Sequence, residues 1–201
     1  NADPHFDALR FIDSSGDWLP DGSQFVFAVF ADGDNELAIV DVASGTIEQK
    51  IKLDGIGAIT SPAWSPDGQF IAFSGLDGGV SDIYTWDVRT GALRQLTEDK
   101  YADLQPTWSP DGSTIAFVSD RGGATDFEAL TYSKPQIAFL DVASNRVTTL
   151  GVFGDVKHIN PQYAPDGRSL YFVSDQDGFS DIYQYAFESR DIRRITMLQT
   201  A

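Results

Sequence analysis

Four short apolar runs recur along the chain: Phe25-Val26-Phe27-Ala28-Val29, Phe70-Ile71-Ala72-Phe73, Ile115-Ala116-Phe117-Val118 and Leu170-Tyr171-Phe172-Val173. They are aromatic-rich and β-branched, which predicts buried strands. A polar loop follows each run, as at residues 75–79 and 174–178. A second apolar run comes next: Leu37-Ala38-Ile39-Val40-Asp41, Ile83-Tyr84-Thr85-Trp86-Asp87, Ile137-Ala138-Phe139-Leu140-Asp141 and Ile182-Tyr183-Gln184-Tyr185-Ala186. Ser-Gly, Thr-Gly or Ser-Asn turns end the first three, and residues 46–51, 92–96, 146–150 and 192–196 predict a closing strand in each unit.

The segment before each first run fixes the phase of the repeat. It reads Leu19-Pro20-Asp21-Gly22, Ser65-Pro66-Asp67-Gly68, Ser109-Pro110-Asp111-Gly112 and Ala164-Pro165-Asp166-Gly167. Proline sets φ, Asp bonds its own backbone, and Gly accepts the left-handed geometry of a tight turn. Each turn therefore joins two antiparallel strands. Trp18, Trp64, Trp108 and Tyr163 precede the four turns, and successive prolines lie 46, 44 and 55 residues apart. A period of that size marks a repeat array, and four strands per unit repeated radially predict an all-β propeller of four-stranded blades. The aromatics, always in the same phase, are expected to anchor the core.

These residues carry a resemblance. Pro62-Ala63-Trp64-Ser65-Pro66-Asp67-Gly68, Ile71-Ala72-Phe73-Ser74, Ser81-Asp82-Ile83-Tyr84, Asp87, Thr90-Gly91 and Leu96-Thr97 resemble the WD40-like repeat of TolB-type propellers. Residues 106–119 and 161–174 repeat its first half. The first unit departs by Leu19 and by lacking a proline before Trp18, the third by extra residues between Arg121 and Lys134, and the fourth by Ala186 in place of Asp. The expected organisation is one propeller domain over residues 1–201, with blades near 11–55, 56–98, 99–152 and 153–201. Four visible blades fit an arc of a larger propeller or a closed four-bladed ring. TolB-like propellers usually have more than four blades, and residues 1–11 read as a linker before a blade.

Composition changes the picture only in part. Net charge is −16, but much of the acidity is turn chemistry: Asp21, Asp67, Asp111 and Asp166 in one turn, Asp41, Asp87 and Asp141 in another. The charge still argues against nucleic acid and anionic membranes, which demand cationic surfaces, and permits a basic protein partner. No cysteine is present, which excludes disulfides and thiolate chemistry. No apolar run approaches the roughly 18 residues of a membrane helix. The chain starts at Asn1, with no cationic-then-apolar leader.

The residues nominate no catalytic site, cofactor or metal. His5 and His158 stand in no metal-ligand spacing, and no Gly-x-Ser-x-Gly elbow occurs. Residues 75–79 read as a hairpin loop. Asp32-Gly33-Asp34-Asn35-Glu36, and Asp175-Gln176-Asp177-Gly178 with Asp181, place carboxylates on turns, yet neither completes a calcium loop. The most individual segment is the insert at 121–134, which carries Phe127, Leu130 and Tyr132 outside the strand pattern. Long loops on rigid scaffolds tend to bind, although a loose hairpin loop is the plainer alternative. Tyr101 and His158, in linkers between blades, complete the candidate partner-binding set. The TolB resemblance implies a non-catalytic protein-interaction or scaffold subunit in the periplasm or cell envelope. The alternative is a substrate-gating propeller of a prolyl-oligopeptidase-like hydrolase. A polysaccharide lyase on a similar propeller would want several channel histidines, and only His158 is placed to serve.

Overall fold

A computed structural model describes residues 6–9, 16–31 and 34–198. The described residues form strands and turns, with no helix. In chain order the strands are β1 (Phe6–Leu9), β2 (Asp17–Trp18), β3 (Gln24–Ala31), β4 (Asp34–Asp41), β5 (Thr46–Lys52), β6 (Ala58–Trp64), β7 (Phe70–Asp77), β8 (Val80–Asp87) and β9 (Leu93–Gln95). They continue as β10 (Asp103–Trp108), β11 (Thr114–Ser119), β12 (Gln136–Asp141), β13 (Arg146–Thr149), β14 (His158–Tyr163), β15 (Ser169–Ser174), β16 (Asp181–Ala186) and β17 (Ile192–Arg194). The three later sheets each run straight through their strands: β6 to β9, β10 to β13 and β14 to β17. All pairs are antiparallel. The chain divides into two compact units, Asn1–Lys100 and Tyr101–Ala201, with two sheets in each.

The first sheet departs from this order. β1 pairs the far half of β3, and β2 pairs its near half, so two segments share the inner-strand position. Part of the stretch read as a linker is therefore a strand. In the other three sheets a single inner strand spans both halves. It carries a bulge at Ser61, Gln105 or Asn160, each with φ between 51° and 53°. Each bulged residue precedes a proline, and the first unit lacks that proline.

The predicted turn chemistry is present in every repeat. Gly22, Gly68, Gly112 and Gly167 donate their N–H groups back to Leu19, Ser65, Ser109 and Ala164 at 2.8–2.9 Å. The Asp at each turn accepts from the backbone N–H two residues on, as Asp67 does from Gln69 at 3.0 Å. Where the turn starts with serine, its hydroxyl adds a bond to the Asp, from Ser65 and from Ser109. Hydrogen bonds from Ser109 and Ser113 pull Asp111 down to about 2. The loop at 75–79 tightens into a hairpin with Gly78 and Gly79 at φ 57° and 91°, the geometry two-residue connections favour. The outer turns close with a backbone bond onto Asp41, Asp87, Asp141 and Ala186. The last lacks the Asp cap and puts Arg190 at φ 60° where glycine or asparagine stands in the others.

Within each unit, apolar faces of the two sheets pack together. In the first, Val26, Leu37, Ile39 and Ile51 meet Trp64, Ile71 and Phe73. In the second, Ala116, Val118 and Ile137 meet Leu170, Phe172 and Tyr183. Trp18, Trp64, Trp108 and Tyr163 hold the same register position, opposite Phe25, Ile71, Ile115 and Leu170. Their environments are graded. Trp64 is 5% exposed, Trp108 and Tyr163 are half-buried, and Trp18 is 55% exposed. The same phase becomes a core anchor only where another sheet covers it. Asp17 adds a link: its Oδ2 accepts the Trp64 N–H at 2.8 Å, while burial raises its pKa.

Candidate functional site

The insert at 121–134 is a hydrogen-bonded loop. Asp126 and Thr131 exchange backbone bonds at 2.8 and 3.0 Å, and the Asp126 carboxylate accepts from the N–H groups of Glu128 and Ala129. Thr125 Oγ1 accepts from Ser133 N, and Ser133 Oγ accepts from Ala124 N. The arms of the insert are cross-linked by side-chain hydroxyls that strand periodicity does not reveal.

Three of the nominated residues meet here. The Tyr101 and Phe127 rings lie 5.4 Å apart, and Phe127 meets Tyr132 edge-on at 6.3 Å. The Arg121 guanidinium lies 5.0 Å from the Tyr101 ring centre and 5.6 Å from that of Phe117, which is fully buried. Arg121 is fixed in turn by Asp103, a carboxylate with no exposure, through Nη2 to Oδ2 at 2.5 Å. Its Nε also donates to Ser119 Oγ at 2.8 Å. A buried ion pair thus holds a stacked cation, and the stacked cation holds the aromatic base of the insert. Above that base Leu130 is 72% exposed and Tyr132 56% exposed. Leu130 also sits at φ 53°, a left-handed conformation that costs a non-glycine residue on the order of 1 kcal/mol.

His158 lies elsewhere. It opens β14, is fully buried, and stands between the rings of Phe153 and Phe172. Its Nε2 donates to the Val152 carbonyl at 3.1 Å, and the buried Nδ1 has no partner. It is a core histidine, which corrects its nomination for partner binding. The aromatic wall around it comes from the preceding linker and from β15. Burial pushes the imidazole below its ordinary value against the opposing pull of the Val152 carbonyl. The folded chain thus refuses a proton that the unfolded chain accepts below about pH 6.5. Stability is present in full above that pH and falls by up to about 1.4 kcal/mol per unit beneath it. The advantage of the native chain over His158→Gln in urea titrations should therefore shrink between pH 7.5 and pH 5. A constant difference would contradict this.

On the two calcium-like turns the carboxylates of Asp34, Asp177 and Asp181 have protein partners. Asp34 pairs with Lys52 at 2.8 Å, while Asp32 and Gly33 lie outside the described residues. Asp177 accepts from the Tyr183 hydroxyl and from Arg194, and Asp181 accepts from Thr196, Leu198 N and Arg194.

The linker at 150–157 reaches the insert. Asp155 Oδ1 accepts from Lys134 N at 2.9 Å, and Gln136 Nε2 donates to the Val156 carbonyl at 2.7 Å. Between the two segments lies a cavity of about 370 Å³, lined chiefly by Arg121, Gly122, Ser133, Gln136, Gly151 and Asp155. Sequence reasoning set one segment apart as an insert and the other as a linker between blades. It missed the cavity, which needs a hydrogen bond between residues 21 apart.

The family model described as the TolB beta propeller domain matches residues 11–150. Among solved structures, TolB from Acinetobacter baumannii is similar at TM-score 0.72 and 24% identity, covering 90% of this chain and 43% of that one. A protein from Agrobacterium tumefaciens provisionally assigned as TolB is similar at 0.71 and 25%, covering 93% and 62%. The tricorn protease is similar at 0.59 and 16%, covering 82% of this chain and 17% of the protease, a likeness of fold. The chain therefore spans about half the length of the TolB structures it matches. No curated protein matches it.

Proposed function

The chain belongs to the TolB β-propeller domain family, and from that premise we propose that it is a non-catalytic interaction module of an exported, cell-envelope assembly. Its four sheets act as blades of one propeller domain, with boundaries near residues 55, 98 and 152. The insert of the third blade carries the partner contact. The observation behind this reading is Leu130, a large aliphatic side chain 72% exposed on a hydrogen-bonded loop whose base is locked by Tyr101, Phe127 and Arg121. An apolar group on a hydrogen-bonded loop has less ordering entropy to lose on binding, and the neighbouring Tyr132 is of the residue type that dominates interface energy. Tyr132 extends the patch. A net charge of −16 favours a basic protein surface as the partner and disfavours nucleic acid.

Leu130→Gly separates this role from folding. Glycine adopts φ 53° freely, so the substitution removes the anchor and relieves the backbone together. Stability is expected to change by less than about 1 kcal/mol, because the greater freedom of glycine in the unfolded chain offsets the relief. Affinity capture from the native source, with circular dichroism as the folding control, should show partner recovery falling by about tenfold or more. Undiminished recovery by a folded Leu130→Gly chain would exclude the insert as the contact.

A further inference from the structure

The cavity beside the insert has a definite chemical sense. Two charged groups line it, and they are not equivalent. Arg121 is spent on the buried Asp103 carboxylate and on Ser119. Asp155 makes one backbone hydrogen bond, to Lys134 N, and no ion pair. Gln136, also in the lining, commits its Nε2 to the carbonyls of Val156 and Lys134, which leaves its Oε1 as an acceptor. The cavity thus presents an unneutralised carboxylate and an amide oxygen beside a cation already paired.

Its open shape is set by glycines. A Cβ on Gly122 would lie 2.3 Å from Ser133 Oγ, so a side chain there would push into the arm of the insert. Gly151 and Gly154 take φ 64° and 69°, which turns the linker around the far wall. At about 370 Å³ the space exceeds the needs of a few waters and accommodates one long side chain. Exposed Leu130 and Tyr132 belong to the same insert.

We propose that this cavity receives an arginine or lysine side chain of the partner, with Asp155 as its counter-ion, while Leu130 and Tyr132 pack on the apolar residue beside it. This rests on the reading of the insert as the docking element and names the chemistry of the partner: a basic residue next to an apolar one. Asp155 is exposed, so an entering cationic group keeps part of its hydration there, and the carboxylate with Gln136 Oε1 offers it two acceptors that a neutral lining would not.

The probe is N-acetyl-arginine amide, titrated into the ¹⁵N-labelled chain, with N-acetyl-citrulline amide as its neutral isostere. The amide signals of Gly122, Gly123, Gly151 and Gly154 should shift saturably with the arginine compound and not with the citrulline compound. Asp155→Asn keeps the acceptor for Lys134 N and, because Asp155 is exposed, should weaken arginine binding by about two- to fivefold. Equal shifts with citrulline, no shifts at all, or arginine binding unchanged in Asp155→Asn would overturn the proposal. Partner capture separates the two readings. Capture lost in Leu130→Gly but intact in Asp155→Asn would sink the cationic pocket and leave the insert standing as the contact.

Discussion

Trp64→Ala is expected to cost about 3–5 kcal/mol, whereas Trp18→Ala should cost about 1 kcal/mol. The two tryptophans share one register position ahead of a Pro-Asp-Gly turn, so a local account of the repeat would give them similar weight. Packing does not. Trp64 is 5% exposed and joins the core that Val26, Leu37 and Ile39 form with Ile71 and Phe73. Removing its indole opens a cavity between two sheets that cannot collapse without moving both. Trp18 keeps one ring contact, to Phe25 at 5.0 Å, and is 55% exposed. Urea titrations followed by far-ultraviolet circular dichroism avoid the loss of tryptophan signal. Equal midpoints for the two variants would mean that the sheets of the first unit do not pack as described.

The second large effect is expected at Arg121. Arg121→Ala leaves Asp103 buried with only the Ser119 hydroxyl and its remaining local contacts to hold the charge, at a cost of about 3–5 kcal/mol. The same change removes the cation stacked on Tyr101, so the base of the insert loosens as the domain weakens. Most of this cost belongs to the stranded carboxylate. The double variant Asp103→Asn, Arg121→Met should therefore recover most of the stability, because it deletes both charges and keeps the volume. A double variant as unstable as Arg121→Ala would show that the guanidinium contributes mainly by packing.

How much of this was readable beforehand differs from element to element. The turns were, because proline, aspartate and glycine each act through their own backbone, and Gly22, Gly68, Gly112 and Gly167 repeat one geometry. Strand positions followed from the apolar runs. Burial did not follow from phase, as Trp18 shows, because it depends on what lies across the next sheet. The bulges at Ser61, Gln105 and Asn160 left a mark in the proline after each, yet their left-handed backbone is not a preference of serine or glutamine. β1 was hidden in residues read as a linker, since its pairing partner is the far half of β3. Among the candidate residues, Phe127, Leu130 and Tyr132 stood out because they break the repeat. His158 looked similar in one dimension and lies in the core in three. The cavity was invisible, because Lys134 and Asp155 meet only after two sheets have packed.

The insert follows Ser119 and precedes Gln136, which pair at one end of the third sheet. The turn that begins at Asp141, paired with Thr114, marks the other end. This gives the docking account an internal control. A photocrosslinking amino acid placed at position 130, at 132 or at exposed Ser144 samples both ends of the same sheet in the native source. The account predicts one shared crosslinked protein from positions 130 and 132 and none from 144. Crosslinking from Ser144 alone, or the same products from both ends, would contradict it.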